Sequence, residues 1–373
     1  MEKNYLKYIN ESEIKKFLDY NGNDILINEA KVDKCKNPDV SIIILMYNQA
    51  NCIHKCIRSI QNQSLKNIEI IIIDDCSLDN STETIEYYKK NDKRIILLTH
   101  DRNYGKIKSR SDGVRMARGR YITFIDGDDA FIHKDILQNS FNLATSMNLD
   151  VVDFRISFYS NKTFINNINT YDEINNISER IIYQPELRTK FISLIDSNDV
   201  RGTPNRNICG KFIKAALFKK VVKYIGIKYT EDFINDYEDT LMVIALLQLA
   251  RSLYLMKERG YYYTHDECQR SKLIKGKKCK ENKKNIGMDP IKYLNFLIDK
   301  TEDTKLERKL LYSEIITIDC FLNMTFLVND HFEIIYNILD KTLESNYLTE
   351  IQKNKIRNIK YKLLNKEKTI RNK

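Results

Sequence analysis

The sequence predicts an α/β fold: a mostly parallel, Rossmann-like sheet flanked by helices, with a helical region after it. Two observations predict it. From residue 40 onward, branched apolar runs alternate with segments of helical periodicity, and acidic clusters stand where two of those runs end. Repeated strand–helix units imply parallel pairing, because a right-handed crossover returns the chain to the same end of the sheet.

Val40-Ser-Ile-Ile-Ile-Leu-Met-Tyr47 reads as the first strand, and its near-continuous apolar character fits burial on both faces. A helix follows, with Ile53, Cys56, Ile57 and Ile60 at i, i+3, i+4 and i+7. The second strand covers Ile68 to Ile73 and ends on Asp74-Asp75-Cys76-Ser77, where Ser77 or Asp79 suits the cap of the next helix. A third strand, Arg94 to Thr99, leads through the polar loop Asp101–Gly105 to a helix from Lys106 to Arg118, stopped by Gly119. The fourth strand, Tyr121 to Ile125, runs into Asp126-Gly127-Asp128-Asp129. The apolar stretch from Leu241 to Met256 reads as a buried helix, shorter than the roughly 18 residues of a membrane span. Segments 290–300, 306–328, 331–343 and 348–364 also carry helical spacing. The chain therefore divides into a helical extension (1–38), an α/β domain (39–265) and a helical C-terminal region (266–373).

With 42% hydrophobic residues, only 11 Gly and 4 Pro in 373 residues, the chain can bury a real core and is not a disordered sequence. The net charge of +10 suits a phosphate-bearing ligand, an anionic membrane surface or a nucleic acid. The basic runs Arg270–Lys284 and Lys353–Lys373 have few interleaved aromatics and no nucleic-acid motif, so no nucleic-acid partner is expected. Eight scattered Cys without a C-x-x-C pair suggest a reducing compartment. No apolar leader opens the sequence, and the expected location is cytoplasmic, soluble or peripheral at the inner face of a membrane.

Asp126-Gly127-Asp128-Asp129 sets three carboxylates within four residues at a strand end, where ligands of parallel sheets bind. Mutual repulsion makes the cluster costly unless a cation joins it. Carboxylate oxygens suit Mg²⁺ or Mn²⁺, and such an ion would complete its shell with phosphate oxygens. Gly127 keeps the turn tight.

These blocks, taken in order, resemble the family 2 glycosyltransferases, inverting enzymes of GT-A fold. The resemblance rests on Val40 to Ile44 with Tyr47-Asn48, then Ser59, Gln63-Ser64 and Glu69-Ile70. Asp74-Asp75-Cys76-Ser77-Leu78-Asp79, Asn103-Tyr-Gly105, Arg110-Ser-Asp-Gly113, Ala117 to Ile122 and Phe124 to Asp129 continue it. It implies a nucleotide-diphosphate sugar as donor, UDP before GDP, and a glycan or lipid-linked hydroxyl as acceptor. By the same resemblance Tyr47 stacks near the base and Asp75 accepts a hydrogen bond from it. Arg110 sits near the nucleotide, Asp126 and Gly127 line the ribose or diphosphate, and Asp128 with Asp129 holds the metal. A weaker match runs downstream. Lys211, in Gly210-Lys211-Phe212-Ile213, and His265, in Tyr262-Tyr263-Thr264-His265, are assigned to the nucleotide-sugar, and Tyr237-Glu238-Asp239 is similar to the segment that supplies the base. Asp239 is the first choice and Glu238 the second.

Two other readings stay open. A nucleotidyltransferase shares the sheet and the acidic metal ligands, but the position of its Gly-rich phosphate loop reads Asn48-Gln-Ala-Asn51, with no Gly. The basic runs keep a nucleic-acid-binding protein as the third reading, and they also suit docking on anionic lipid.

Overall fold

The computed structural model describes residues 36–159, 179–187, 207–230, 238–264 and 329–371, apart from 345 and 347. Residues 1–35, His265, Arg270–Lys284 and the helices expected at 290–300 and 306–328 lie outside the described residues.

Four parallel strands open the fold: β1 (Val40–Met46), β2 (Ile68–Asp74), β3 (Ile95–Thr99) and β4 (Tyr121–Asp126), in the order β3-β2-β1-β4. Every residue of β1 and β2 is buried, as a strand covered on both faces requires. The covering helices are α1 (Ile53–Gln61), α2 (Ser81–Asn91) and α3 (Lys106–Met116). In α1 the buried residues include Ile53, Cys56, Ile57 and Ile60, the stripe expected from their spacing. In α3, Gly113 lies so close to β1 that a Cβ there would stand 2.4 Å from Ile43 Cγ2.

Beyond β4 the sheet becomes mixed. After β5 (Ala130–Phe131) and α4 (Ile136–Ser146) come β6 (Val151–Tyr159), β7 (Arg180–Tyr183) and β8 (Lys211–Lys214). Helices α5 (Ala215–Ile225), α6 (Ile227–Thr230) and α7 (Glu238–Leu249) precede β9 (Ser252–Thr264). β8 lies antiparallel between β4 and β6, and β9 runs parallel to β6. One end of β9 pairs with β7 and the other with β5. A last pair, α8 (Asn329–Leu343) and α9 (Glu350–Arg371), matches the helical segments expected at 331–343 and 348–364.

Several boundaries differ from expectation. α3 ends at Met116, short of the expected stop at Gly119, because Ala117 is already extended and the Gly119 N–H donates to Ser41 Oγ. The stretch Leu241–Met256 is not one helix. α7 stops at Leu249, and Leu253 to Met256 belong to β9. Asp150 enforces the break, accepting the Arg251 N–H at 3.0 Å and its Nε at 3.3 Å, while the Asp150 N–H donates to Ser252 Oγ. The third strand starts at Ile95, because Asp92 takes up the backbone N–H and side chain of Arg94. The N-cap position of α2 is Asn80, without a side-chain bond. Asp79 accepts the Ser81 N–H there but spends its other oxygen on Ala50, and Ser77 serves Asn48.

Several residues of the matched blocks are structural latches. Ser41 Oγ donates to Glu69 Oε1 at 2.7 Å and accepts the Gly119 N–H, and Glu69 also binds the Arg118 guanidinium. Gln63 Nε2 donates to the His133 carbonyl, and its Oε1 accepts the Leu137 N–H, tying α1 to α4.

Candidate active site

The parallel register brings the acidic strand ends level. Met46 pairs with Asp74 and Leu45 with Asp126, so both clusters emerge at the carboxyl edge of the sheet. Chain order reverses between β1 and β4, the switch point at which such sheets bind ligands. The turn after β4 folds back against β1, with the Gly127 N–H donating to the Leu45 carbonyl at 2.9 Å. A Cβ on Gly127 would lie 2.2 Å from Gln49 Oε1 and 2.9 Å from Ile53 Cδ1, so only glycine fits without displacing them.

That turn gathers Asp126, Asp128 and Asp129, each offering an oxygen within 4.8 Å of the others. The expected metal pair Asp128–Asp129 is thus joined by Asp126. Asp129 is buried beneath the turn, where Tyr261 Oη donates to it at 2.6 Å and the Thr264 N–H at 2.8 Å. Tyr261 Oη also accepts the Asp126 N–H at 3.1 Å, and Thr264 Oγ1 donates to the Asp128 carbonyl, so the end of β9 braces all three acids. Burial first, then the charges of Asp128 and Asp126, push the Asp129 carboxyl well above its ordinary range. Three hard oxygens that resist ionising together are the donor set that a divalent cation relieves.

The second acidic group comes from the start of α7. Glu238 is buried, and its Oε1 accepts from Arg110 Nη1 at 2.8 Å, with Lys106 Nζ 3.6 Å away. Asp239 keeps 22% of its side chain exposed. Its Oδ1 lies 3.1 Å from Arg110 Nη2, in a geometry that makes no hydrogen bond, and this oxygen is buried without a hydrogen-bond partner. Burial pushes the Asp239 carboxyl up to about 6, with Glu238 adding to the effect and Arg110 and Lys106 opposing it. Arg110, on α3, has no exposed surface. Its Nη2 also donates to Asp126 Oδ1 at 3.2 Å, so the guanidinium stands between the two acidic groups. Lys106 reaches Asp126 Oδ2 at 3.1 Å.

A third region surrounds Asp75. Its Oδ1 accepts from His100 Nδ1 and the Tyr104 N–H, both at 2.8 Å, and its Oδ2 accepts the Gly105 N–H at 2.8 Å. Tyr47 is half-buried just beyond β1, beside Asn48, whose φ is +53°. The loops after β1 and β2 are latched together, with Asn48 Oδ1 accepting the Leu78 N–H at 2.7 Å. Asp74 is spent internally on the Ser77 N–H and the Thr82 hydroxyl.

The structure thus places Asp126, Gly127, Asp128, Asp129, Arg110, Glu238 and Asp239 together. Lys211 is not among them. Fully buried on β8, its ammonium lies 3.0 Å from Asp153 and donates to the Asn207 carbonyl. Sequence reasoning did not single out Lys106, His100, Tyr261 or Thr264. Lys106 carried a signal, one turn before Arg110 on the same helix face. The others enter through long-range pairing that no local pattern encodes.

Residues 41–202 match the family model described as Glycosyl transferase family 2. An uncharacterized glycosyltransferase of Bacillus subtilis, EpsJ, is 37% identical over 40% of this chain and 42% of its own. Glycosyltransferase GlyA of Streptococcus pneumoniae is 27% identical over 59% of this chain and 30% of its own. The matches therefore span under half the length of these curated relatives. Among solved structures, Staphylococcus aureus TarS (residues 1–349) in complex with UDP-GlcNAc aligns with a TM-score of 0.60 at 15% identity, over 90% of this chain and 92% of that one. The likeness shows a common fold.

Proposed function

Because the chain carries a family 2 glycosyltransferase domain of GT-A fold, we propose that it transfers a sugar, with inversion, from a nucleoside diphosphate to an acceptor hydroxyl. The carrying observation is the pair of acidic groups facing each other across Arg110. One is a cation-type cluster at the end of β4, and the other presents a buried carboxylate oxygen with no hydrogen bond.

Asp239 is the base. At about 6, its proton affinity leaves it ionised at neutral pH yet able to take the proton of an attacking hydroxyl. Glu238 is held by Arg110 and is the weaker candidate. Asp126, Asp128 and Asp129 would hold Mn²⁺ or Mg²⁺, which when bound supplies charge neutralisation at the diphosphate. Asp75 and Tyr47 flank the base of the nucleotide, and the complexes of TarS with UDP and UDP-GlcNAc favour uridine. A glycan or lipid-linked hydroxyl is the acceptor, and the basic surface of α9 favours work beside an anionic membrane.

Calorimetry of UDP and GDP with and without Mn²⁺ tests the donor site. We expect metal-dependent UDP binding, weakened at least about 100-fold in Asp128→Ala. Asp239→Asn should bind UDP normally and lose roughly 10²–10⁴-fold in kcat. Absence of binding by either nucleotide would defeat the reading, full transfer by Asp239→Asn would move the base elsewhere, and release of pyrophosphate would revive the nucleotidyltransferase.

A further inference from the structure

We propose that Arg110 is a positioning residue for the transfer, fixing Asp239 relative to the donor-side carboxylate Asp126 without taking up its Oδ1 in a hydrogen bond. The proposal rests on the glycosyltransferase reading above.

Arg110 bridges acids that lie far apart in sequence, with contacts to Asp126 on one side and to Glu238 and Asp239 on the other. Its backbone is anchored on α3, which packs on the central strand β1. Its contacts are unequal. Nη1 donates to Glu238 at 2.8 Å and Nη2 to Asp126 at 3.2 Å, both as hydrogen bonds. Toward Asp239 the approach of 3.1 Å is electrostatic only, and Oδ1 keeps its lone pairs. A guanidinium can do this because its fork is planar and its two Nη groups point to separate partners, whereas an ammonium is a single point charge. Glu238 is the clamp that holds Arg110, which explains why two adjacent acids yield one base. The result is a base steadied by attraction and not consumed by a hydrogen bond.

The charged groups that face Asp239 are Arg110, Glu238, Lys106 and Asp126. Arg110 favours the ionised carboxylate. Activity needs that form, so it falls as pH drops through the pKa of Asp239. Removing the guanidinium therefore moves this acid limb to higher pH.

The test compares Arg110→Lys with Arg110→Met, read by UDP–Mn²⁺ affinity, kcat against pH and thermal melting. Arg110→Lys keeps the charge, so the acid limb should stay in place and UDP affinity should fall far less than kcat. The lost fork should lower kcat roughly 100-fold, the scale of a misplaced reacting group. In Arg110→Met the limb should move up by about one pH unit or more. Should Arg110→Met fail to fold, Arg110→Met/Glu238→Gln is compared with Glu238→Gln alone, so that the lost Glu238 charge cancels and the limb of the double variant should still lie the higher of the two. Wild-type kcat in Arg110→Lys would overturn the proposal. So would a limb that stays put in a folded Met variant, or a parallel fall of UDP affinity, kcat and melting temperature in Arg110→Lys. Failure of wild type to bind UDP would instead strike the glycosyltransferase reading itself.

Discussion

His100 is held between two carboxylates, its Nδ1 2.8 Å from Asp75 and its Nε2 3.2 Å from Asp112, with 7% of the side chain exposed. Burial alone would lower its proton affinity. The bonds to Asp112 and Asp75 overcome that and hold the pKa at about 9. The folded pKa therefore lies above the unfolded value of 6.5, so the stabilisation is complete below pH 6.5 and is lost as pH rises through 9. The shift corresponds to about 3 kcal/mol. Urea unfolding of wild type and His100→Gln between pH 6 and 9.5 should show the wild type losing roughly that much more stability over the window. Parallel curves would mean that His100 does not titrate there. His100 was not legible in sequence, since one partner lies 25 residues before it and the other 12 after it. Asp75, Asp128 and Asp239 were legible because the acidic groups recur at the ends of successive strands and inside motif-like blocks, although a helix start alone also favours an acidic residue.

The turn after β4 and the end of β9 work as one element. Asp129 can be buried at the turn only because Tyr261 and Thr264 supply donors from β9, and Gly127 can close the turn only against Leu45, Gln49 and Ile53. Gly127→Ala must displace Gln49 Oε1, a flexible end with no hydrogen bond to lose, but also press on Ile53 and on the Leu45 carbonyl. We expect a cost of about 1–3 kcal/mol in urea unfolding, with weaker UDP–Mn²⁺ binding in the folded fraction. Unchanged stability and affinity would show that the turn relaxes freely. The four parallel strands were readable because each is a branched run flanked by helical periodicity. β9 was not, because Leu253-Tyr-Leu-Met256 continues an apolar run that periodicity alone cannot divide. The Asp150 contacts that divide it come from a residue about a hundred positions earlier.

For the molecule as a whole, the charge of +10 needs a place to act, and α9 offers one. Among the described residues, no helix is long and apolar enough to cross a membrane. Ile356, Ile359 and Leu363 turn inward among the buried residues, which in α8 include Phe332, Ile335, Ile338 and Leu339. At 100° per residue, the opposite face carries Ile351, Tyr361 and Leu364, which are exposed, with exposed Lys355, Arg357, Lys362 and Lys368 around and beside them. Apolar residues fringed by cations match an interfacial helix on anionic lipid, where each cation near the surface contributes about 1 kcal/mol at low salt. The alternative is a purely solvated face. Vesicle sedimentation separates the two. The chain should bind phosphatidylglycerol vesicles at about 20 mM salt, release by about 0.5 M as the Debye length shrinks, and ignore neutral phosphatidylcholine. Lys355→Glu/Lys362→Glu/Lys368→Glu should abolish vesicle binding while leaving UDP affinity intact, because the carboxylate site is built from the turn after β4, α3 and α7. Equal binding to neutral vesicles, or none to anionic ones, would return α9 to the role of a soluble helix packed on α8.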